Sequence, residues 1–206
     1  MADFDRSFWE QHWRATIEPE AQNLSANPYL AAETTDLPTR TALDAGCGTG
    51  TEAMWLASQN WDVTAADISA TALEGARTRA VRAGLDGRIQ WVEADLARWE
   101  PARSWDLVVT NYAHADIGHA ALYERIAGWV APGGTILIVG HVHGRSREHS
   151  VSAHPDGAMA SLASVTDLFR SPEWRIVSAY ENTRIVRSRS TPVTLRDFVV
   201  RADRQS

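Results

Sequence analysis

A chain of 206 residues, 44% of them hydrophobic, is long enough to bury one substantial core and short for two. Its net charge of −6, with no Lys/Arg block before the C-terminal third, argues against a broad nucleic-acid footprint and disfavours an anionic macromolecule as substrate. A single cysteine rules out an internal disulfide and fits a reducing compartment.

In chain order, Met1 to Asp5 is mixed and acidic, with no basic segment leading into an apolar stretch. No window approaches the ~20 apolar residues of a membrane helix, so a cytoplasmic protein without a membrane partner is expected. A helix is predicted from about Arg6 to Arg14, with Trp9 and Trp13 at i, i+4 on one face. That face either docks onto the domain or closes over a site as a lid. A polar, irregular stretch is expected through Pro28, making residues 1–38 an N-terminal helical lid or cap on a domain of residues 39–206, a single domain overall. Strands are predicted near 41–45, 62–67, 89–94, 105–111 and 134–141, with helices between them, among them Thr51–Gln59, one starting near Ser69 and one near Ile117. Alternation of this kind specifies an α/β protein with a parallel sheet covered on both faces. Past Ser164 the pattern changes to a short helix, Val165–Phe169, and two long strand-like runs, Trp174–Val186 and Val193–Arg201, expected as an antiparallel hairpin at the sheet edge.

The chemistry concentrates at the carboxyl ends of these strands, where open α/β sheets bind ligands. Leu43-Asp44-Ala45-Gly46-Cys47-Gly48-Thr49-Gly50 joins the first strand to its helix, with three glycines at alternate positions. Glycine permits φ > 0 and close backbone approach, as a loop holding a nucleoside-like cofactor requires. The G-x-G-x-x-G order of a pyrophosphate cradle is absent, and an acid, Asp44, precedes the loop. Cys47 reads as a small loop residue in preference to a reactive thiol. Asp67 ends the second strand ahead of Ile68, where its two acceptor oxygens suit a ribose diol. Asp95 closes the third strand ahead of Leu96. The fourth strand ends in Asn111-Tyr112-Ala113-His114, which supplies acceptor-side candidates. Asn111 and Tyr112 are suited to orienting an acceptor, and His114 to taking a proton or to capping the next helix. His141 follows the fifth strand directly and is a further acceptor-side candidate. With His143, His149, His154 and Asp156 it is open to reading as a metal site, although a polar loop rich in Ser, Gly and Arg is the preferred reading and no metal is assigned.

The run from Asp44 to Gly50, with Asp67 and Asp95, resembles the class I S-adenosylmethionine-dependent methyltransferases. Trp9 and Trp13 ahead of Asn27-Pro28-Tyr29-Leu30, the Ala53-Met54-Trp55-Leu56-Ala57 run, Trp61 to Asp67, and Thr194 to Ala202 are similar to the small tellurite-resistance and thiopurine-like group within them. The resemblance implies a Rossmann-like, seven-stranded, mostly parallel sheet with its last strand antiparallel and helices on both faces. It further implies S-adenosyl-L-methionine as cofactor, S-adenosyl-L-homocysteine as product, and a small-molecule O, N, S or metalloid nucleophile methylated by in-line transfer. By resemblance, Asp44 faces the cofactor's ammonium side, Gly46, Cys47, Gly48 and Gly50 its amino-acid moiety, Asp67 and Ile68 the ribose, and Asp95 and the Leu96 N–H the adenine. Asn111 completes the cofactor set, and His114, His141 and Tyr112 are the catalytic candidates. A non-catalytic sensor or partner subunit that binds the cofactor, and an NAD(P)-binding oxidoreductase, are the alternatives.

Overall fold

A computed structural model of the chain describes residues 4–16, 25–142, 160–188 and 191–206. Seven strands form one sheet: β1 (Thr41–Ala45), β2 (Asp62–Asp67), β3 (Ile89–Glu93), β4 (Trp105–Asn111), β5 (Val130–His141), β6 (Trp174–Ser188) and β7 (Thr191–Arg204). Their order is β3-β2-β1-β4-β5-β7-β6. The first five run parallel, and β7 lies antiparallel between β5 and β6. This is the expected doubly covered sheet with a reversed last strand and an edge hairpin.

Strands buried on both faces must be apolar throughout, which accounts for runs such as Leu107-Val108-Val109 and Ile136-Leu137-Ile138-Val139, each residue at most 1% exposed. One core packs on Trp105, Tyr123, Ile126, Phe169 and Phe198. The other packs on Leu30, Leu56, Trp61 and Leu73 across the sheet. Trp105 is accommodated because its indole Nε1–H donates to Thr64 Oγ1 at 3.1 Å.

Six helices cover the sheet: α1 (Arg6–Thr16), α2 (Pro28–Thr34), α3 (Thr51–Ser58), α4 (Ala70–Arg82), α5 (His119–Ala127) and α6 (Leu162–Asp167). α2 was absent from the expected elements. Its N-cap, Asn27, accepts the Tyr29 N–H through Oδ1 at 3.1 Å, and Pro28 at the first helical position needs no donor. Strand β5 starts four positions before the expected 134. Trp105 pairs with Val130 and Leu107 with Thr135, so the Pro132-Gly133-Gly134 turn bulges out of the ladder. α5 begins at His119, with Gly118 at its N-cap position. His114, expected as a possible cap, does not cap it. α6 runs three residues earlier than the expected Val165–Phe169, from a capping box built on Ser161 and Ser164.

Two ties attach the outer elements. Arg201, 6% exposed, donates to both oxygens of Asp36 at 2.9 and 3.0 Å and to the Glu33 carbonyl at 2.8 Å. Glu33 in turn accepts from Ser178 and Tyr180, which fixes α2 against β6 and β7. On the other side Glu10 of α1 accepts from the Thr71 hydroxyl at 2.5 Å, holding α1 to the start of α4. No helix among the described residues is long and apolar enough to cross a membrane.

Candidate functional site

The loop after β1 bends through Gly46, Gly48 and Gly50 at φ 82°, 50° and 76°. Ala66 O of β2 accepts from the Gly46 and Cys47 N–H groups at 2.8 and 3.0 Å. A Cβ on Gly46 would come within 2.6 Å of Ala113 Cβ, and one on Gly48 within 2.7 Å of the Trp13 ring. These two glycines let a strand-end loop and a helix close on the site. Gly50 stands behind it, against Trp91 and Ala76, and does not line the cavity.

The loop edges a cavity of about 340 Å³ at the carboxyl ends of β1, β2 and β4. Asp44, Gly46, Cys47, Gly48, Asp67, Ile68, Asp95, Leu96, Asn111, Tyr112, His114 and His141 all line it, so every sequence candidate but Gly50 converges here. Phe4, Trp9, His12 and Trp13 of the N-terminal segment form its remaining wall.

Acids dominate one end. Asp44 is 1% exposed, and its Oδ2 has no partner among the described residues. Burial, reinforced by the neighbouring Glu52 carboxylate, pushes its pKa well above the ordinary range. Glu52, in the first turn of α3, also lines the cavity and accepts the Asn27 N–H at 3.1 Å. Burial raises its carboxyl too. Asp67 accepts the Gly48 N–H at 2.8 Å and the Ser69 N–H at 2.9 Å, one on each oxygen. Burial outweighs these hydrogen bonds and raises its pKa. A carboxylate has about four lone-pair sites, so each oxygen retains capacity for a diol. Asn111 presents an amide with neither atom partnered among the described residues. Three crowded carboxylates and an open amide form a site for a cationic, hydrogen-bonding group.

Elsewhere the geometry refines the expected roles. Burial, with Asp44 and Asp67 nearby, drives the Cys47 thiol up, away from reactive thiolate. Asp95 accepts the Ala97 N–H at 2.9 Å and is ion-paired to Arg98, which also reaches Asp116 at 2.9 Å across the cleft. His114 stacks on Phe4 and Trp9 at centroid distances of 5.3 and 6.4 Å and meets His119 edge-on at 4.6 Å. Tyr112 adopts φ 56°, and its ring lies 4.2 Å from that of His141. Its hydroxyl accepts from Asn27 and Arg184. His143, His149, His154 and Asp156 lie outside the described residues. No group of three or more His, Cys, Asp or Glu suited to a metal occurs among the described ones.

Sequence reasoning missed Glu52, Asn27, Arg184 and Asp197. Glu52 had a local signal, an acid two residues past the glycine loop at a helix start. The other three reach the site only through tertiary pairing.

A doubly wound sheet with a glycine loop after β1 and acids at the carboxyl ends of β1 and β2 is the arrangement with which open α/β sheets hold a nucleoside-type cofactor. Residues 42–134 match the family model described as a methyltransferase domain. An uncharacterised methyltransferase of Mycobacterium tuberculosis is 38% identical over 133 residues, covering 63% of this chain and 61% of that protein. A trans-aconitate 2-methyltransferase of Methylobacterium radiotolerans is 31% identical over 141 residues, covering 67% of this chain and 49% of that protein. The chain thus spans less than two thirds of either relative. Among solved structures, TehB from Haemophilus influenzae shares the fold, with a TM-score of 0.73 at 14% identity over 96% of this chain and 67% of that one.

Proposed function

We propose that this protein transfers a methyl group from S-adenosyl-L-methionine to a nucleophilic atom of a small molecule by in-line displacement. The observation that carries the reading is the buried, unpartnered Asp44 Oδ2 beside Glu52, Asp67 and the glycine loop in one cavity. Bound there, the cofactor supplies a methyl group made electrophilic by its sulfonium. Asp44, with Glu52 and Asn111, would hold the ammonium end. Gly46, Cys47 and Gly48 would border the amino-acid moiety, and Gly50 would set the course of the loop from behind. Asp67 and Ile68 would take the ribose, Asp95 and the Leu96 N–H the adenine. Repulsion between these acids and an anionic pyrophosphate disfavours that group here, which speaks against the oxidoreductase alternative.

Two features favour a small acceptor of O, N, S or metalloid type. Residues of the N-terminal segment wall the cavity, consistent with residues 1–38 serving as a lid over the domain of residues 39–206. One relative bears the name of an enzyme acting on trans-aconitate, a small molecule. Closure would exclude water and align acceptor, methyl and sulfur, which suffices for much of the rate when the donor is already reactive.

Calorimetric titration with S-adenosyl-L-homocysteine tests the cofactor site. Saturable binding that is lost in Asp67→Ala and absent with NADH supports the reading, and no binding by the unsubstituted protein rejects it.

A further inference from the structure

At the acceptor end of the cavity, strand pairing assembles a polar group that no local motif announces. Asp197 of β7 sits directly opposite His141 of β5 in the antiparallel register. Its side chain is fully buried, and Oδ1 lies 2.9 Å from His141 Nδ1. Oδ2 accepts Arg184 Nε–H at 2.6 Å. Arg184 also donates to the Tyr112 hydroxyl at 2.9 Å, which Asn27 Nδ2 reaches from the other side at 3.0 Å. The His141 ring is held between this carboxylate and the Tyr112 face, stacked at 23°.

The chemistry of the ring follows from its partner. Burial by itself would raise the Asp197 pKa, but the hydrogen bonds from His141 and Arg184 outweigh it and hold the carboxyl below its ordinary range. An ionised carboxylate only accepts, so Nδ1 carries the ring proton and Nε2 keeps the lone pair. Arg184 already balances the Asp197 charge, so the ring need not be imidazolium to satisfy it. Among the described residues, His141 meets Asp197 from β7 and the Tyr112 ring after β4, and Arg184 from β6 binds the far oxygen of Asp197. Burial, then the Asp197 charge, raises the Tyr112 hydroxyl well above its usual range, so it stays protonated. Among these groups the imidazole Nε2 is the one that offers a lone pair to accept a proton.

We propose that His141 is the general base for the acceptor, that Asp197 is the positioning residue fixing its tautomer, and that the acceptor is a weakly acidic hydroxyl or thiol. This rests on the methyltransferase reading above. The acceptor's O–H or S–H proton passes to His141 Nε2, and the oxygen or sulfur pair forms the new bond to the methyl carbon. The pair of the breaking carbon–sulfur bond returns to the sulfonium sulfur, leaving a neutral thioether. His141 then releases the proton to solvent. Carboxylate acceptors are ionised at neutral pH, and a neutral amine attacks with its own lone pair, so neither class calls for a fixed base.

The test combines a spectroscopic and a kinetic readout, with homocysteine-product binding by calorimetry as the control for a folded cofactor site. In protein labelled with ¹⁵N-histidine, the His141 signals, assigned by their loss in His141→Gln, should show a protonated Nδ1 and a bare Nε2. Asp197→Asn should redistribute that tautomer, and Asp197→Glu should restore part of it. Methyl transfer to benzyl mercaptan, thiophenol and pentafluorothiophenol, with phenol in parallel, reads the base. His141→Gln and Asp197→Asn should lower kcat by about 10²-fold or more on the weakly acidic probes and far less on the pre-ionised one, with the acidic limb of the pH profile displaced. Equal losses across the series, or a wild-type tautomer with the proton on Nε2, overturns the proposal. Absence of transfer to every hydroxyl and thiol probe by protein that binds S-adenosyl-L-homocysteine overturns the acceptor class. Failure to bind that compound at all rejects the methyltransferase reading instead.

Discussion

Gly46 adopts φ 82° with Ala113 where its Cβ would lie, so Gly46→Ala carries two costs. The left-handed backbone accounts for roughly 1–2 kcal/mol, and the 2.6 Å approach adds strain by displacing the strand-end loop. Thermal unfolding of the variant should therefore begin about 2–8 °C lower, with S-adenosyl-L-homocysteine bound more weakly. Glu52→Gln separates charge from shape, because the amide oxygen can still accept the Asn27 N–H. Its affinity for S-adenosyl-L-methionine should fall roughly tenfold, the scale of one charged hydrogen bond, while uncharged 5′-methylthioadenosine binds as before. Burial raises the Asp44 and Glu52 carboxyls, and a bound cation favours their ionised forms. Cofactor binding should therefore expel protons and tighten as pH rises through those raised values. Titrations in buffers of different ionisation heat would measure this release, and Glu52→Gln should diminish it. The glycine loop, Asp44, Asp67 and Asp95 were legible in the sequence because each stands at a strand end marked by local periodicity. Asp197 and Arg184 were not, since their relation to His141 exists only once β5, β6 and β7 pair.

Helix α1 is tied to β3 by the Arg6–Glu93 ion pair and to α4 by Glu10, whose bonds to Thr71 keep its carboxyl below the ordinary range despite some desolvation. A depressed carboxyl stabilises its contact above the unfolded-state pKa and gives it up as pH falls through the folded value. Glu10→Ala should thus mimic acid, raising the release rate of S-adenosyl-L-homocysteine several-fold. Stopped-flow tryptophan fluorescence would follow this through Trp9 and Trp13. The helical face that carries these two rings was predicted from their i, i+4 spacing, and both rings do line the cavity. The strands were equally readable, since parallel strands buried on both faces are continuous apolar runs. α2 escaped notice because its seven residues are too few for a periodic signal. Its start is written in the Asn27-Pro28 pair and its stability in tertiary contacts.

Across the whole molecule, the family match covers residues 42–134, which hold the candidate cofactor residues Asp44 to Asn111, while His141, Arg184 and Asp197 come from outside it. α2 is tied to β7 through Arg201, a buried cation whose loss leaves the Glu33 carbonyl without its donor. Arg201→Ala should cost about 1–3 kcal/mol in urea unfolding, the range for leaving a buried carbonyl without its donor, because Asp36 itself is exposed. Asp36, depressed by its Arg201 hydrogen bonds, should make part of that contribution vanish in acid, as pH falls through its lowered pKa. Trp13 resting over Gly48 also bears on sequence in time. On the lid reading proposed above, a nucleoside could not slip beneath a seated indole, so the donor would enter before the helix settles and its spent form would leave after the helix lifts. Steady-state kinetics should then be compulsory-ordered, donor first, with S-adenosyl-L-homocysteine competing against the donor and not against the acceptor.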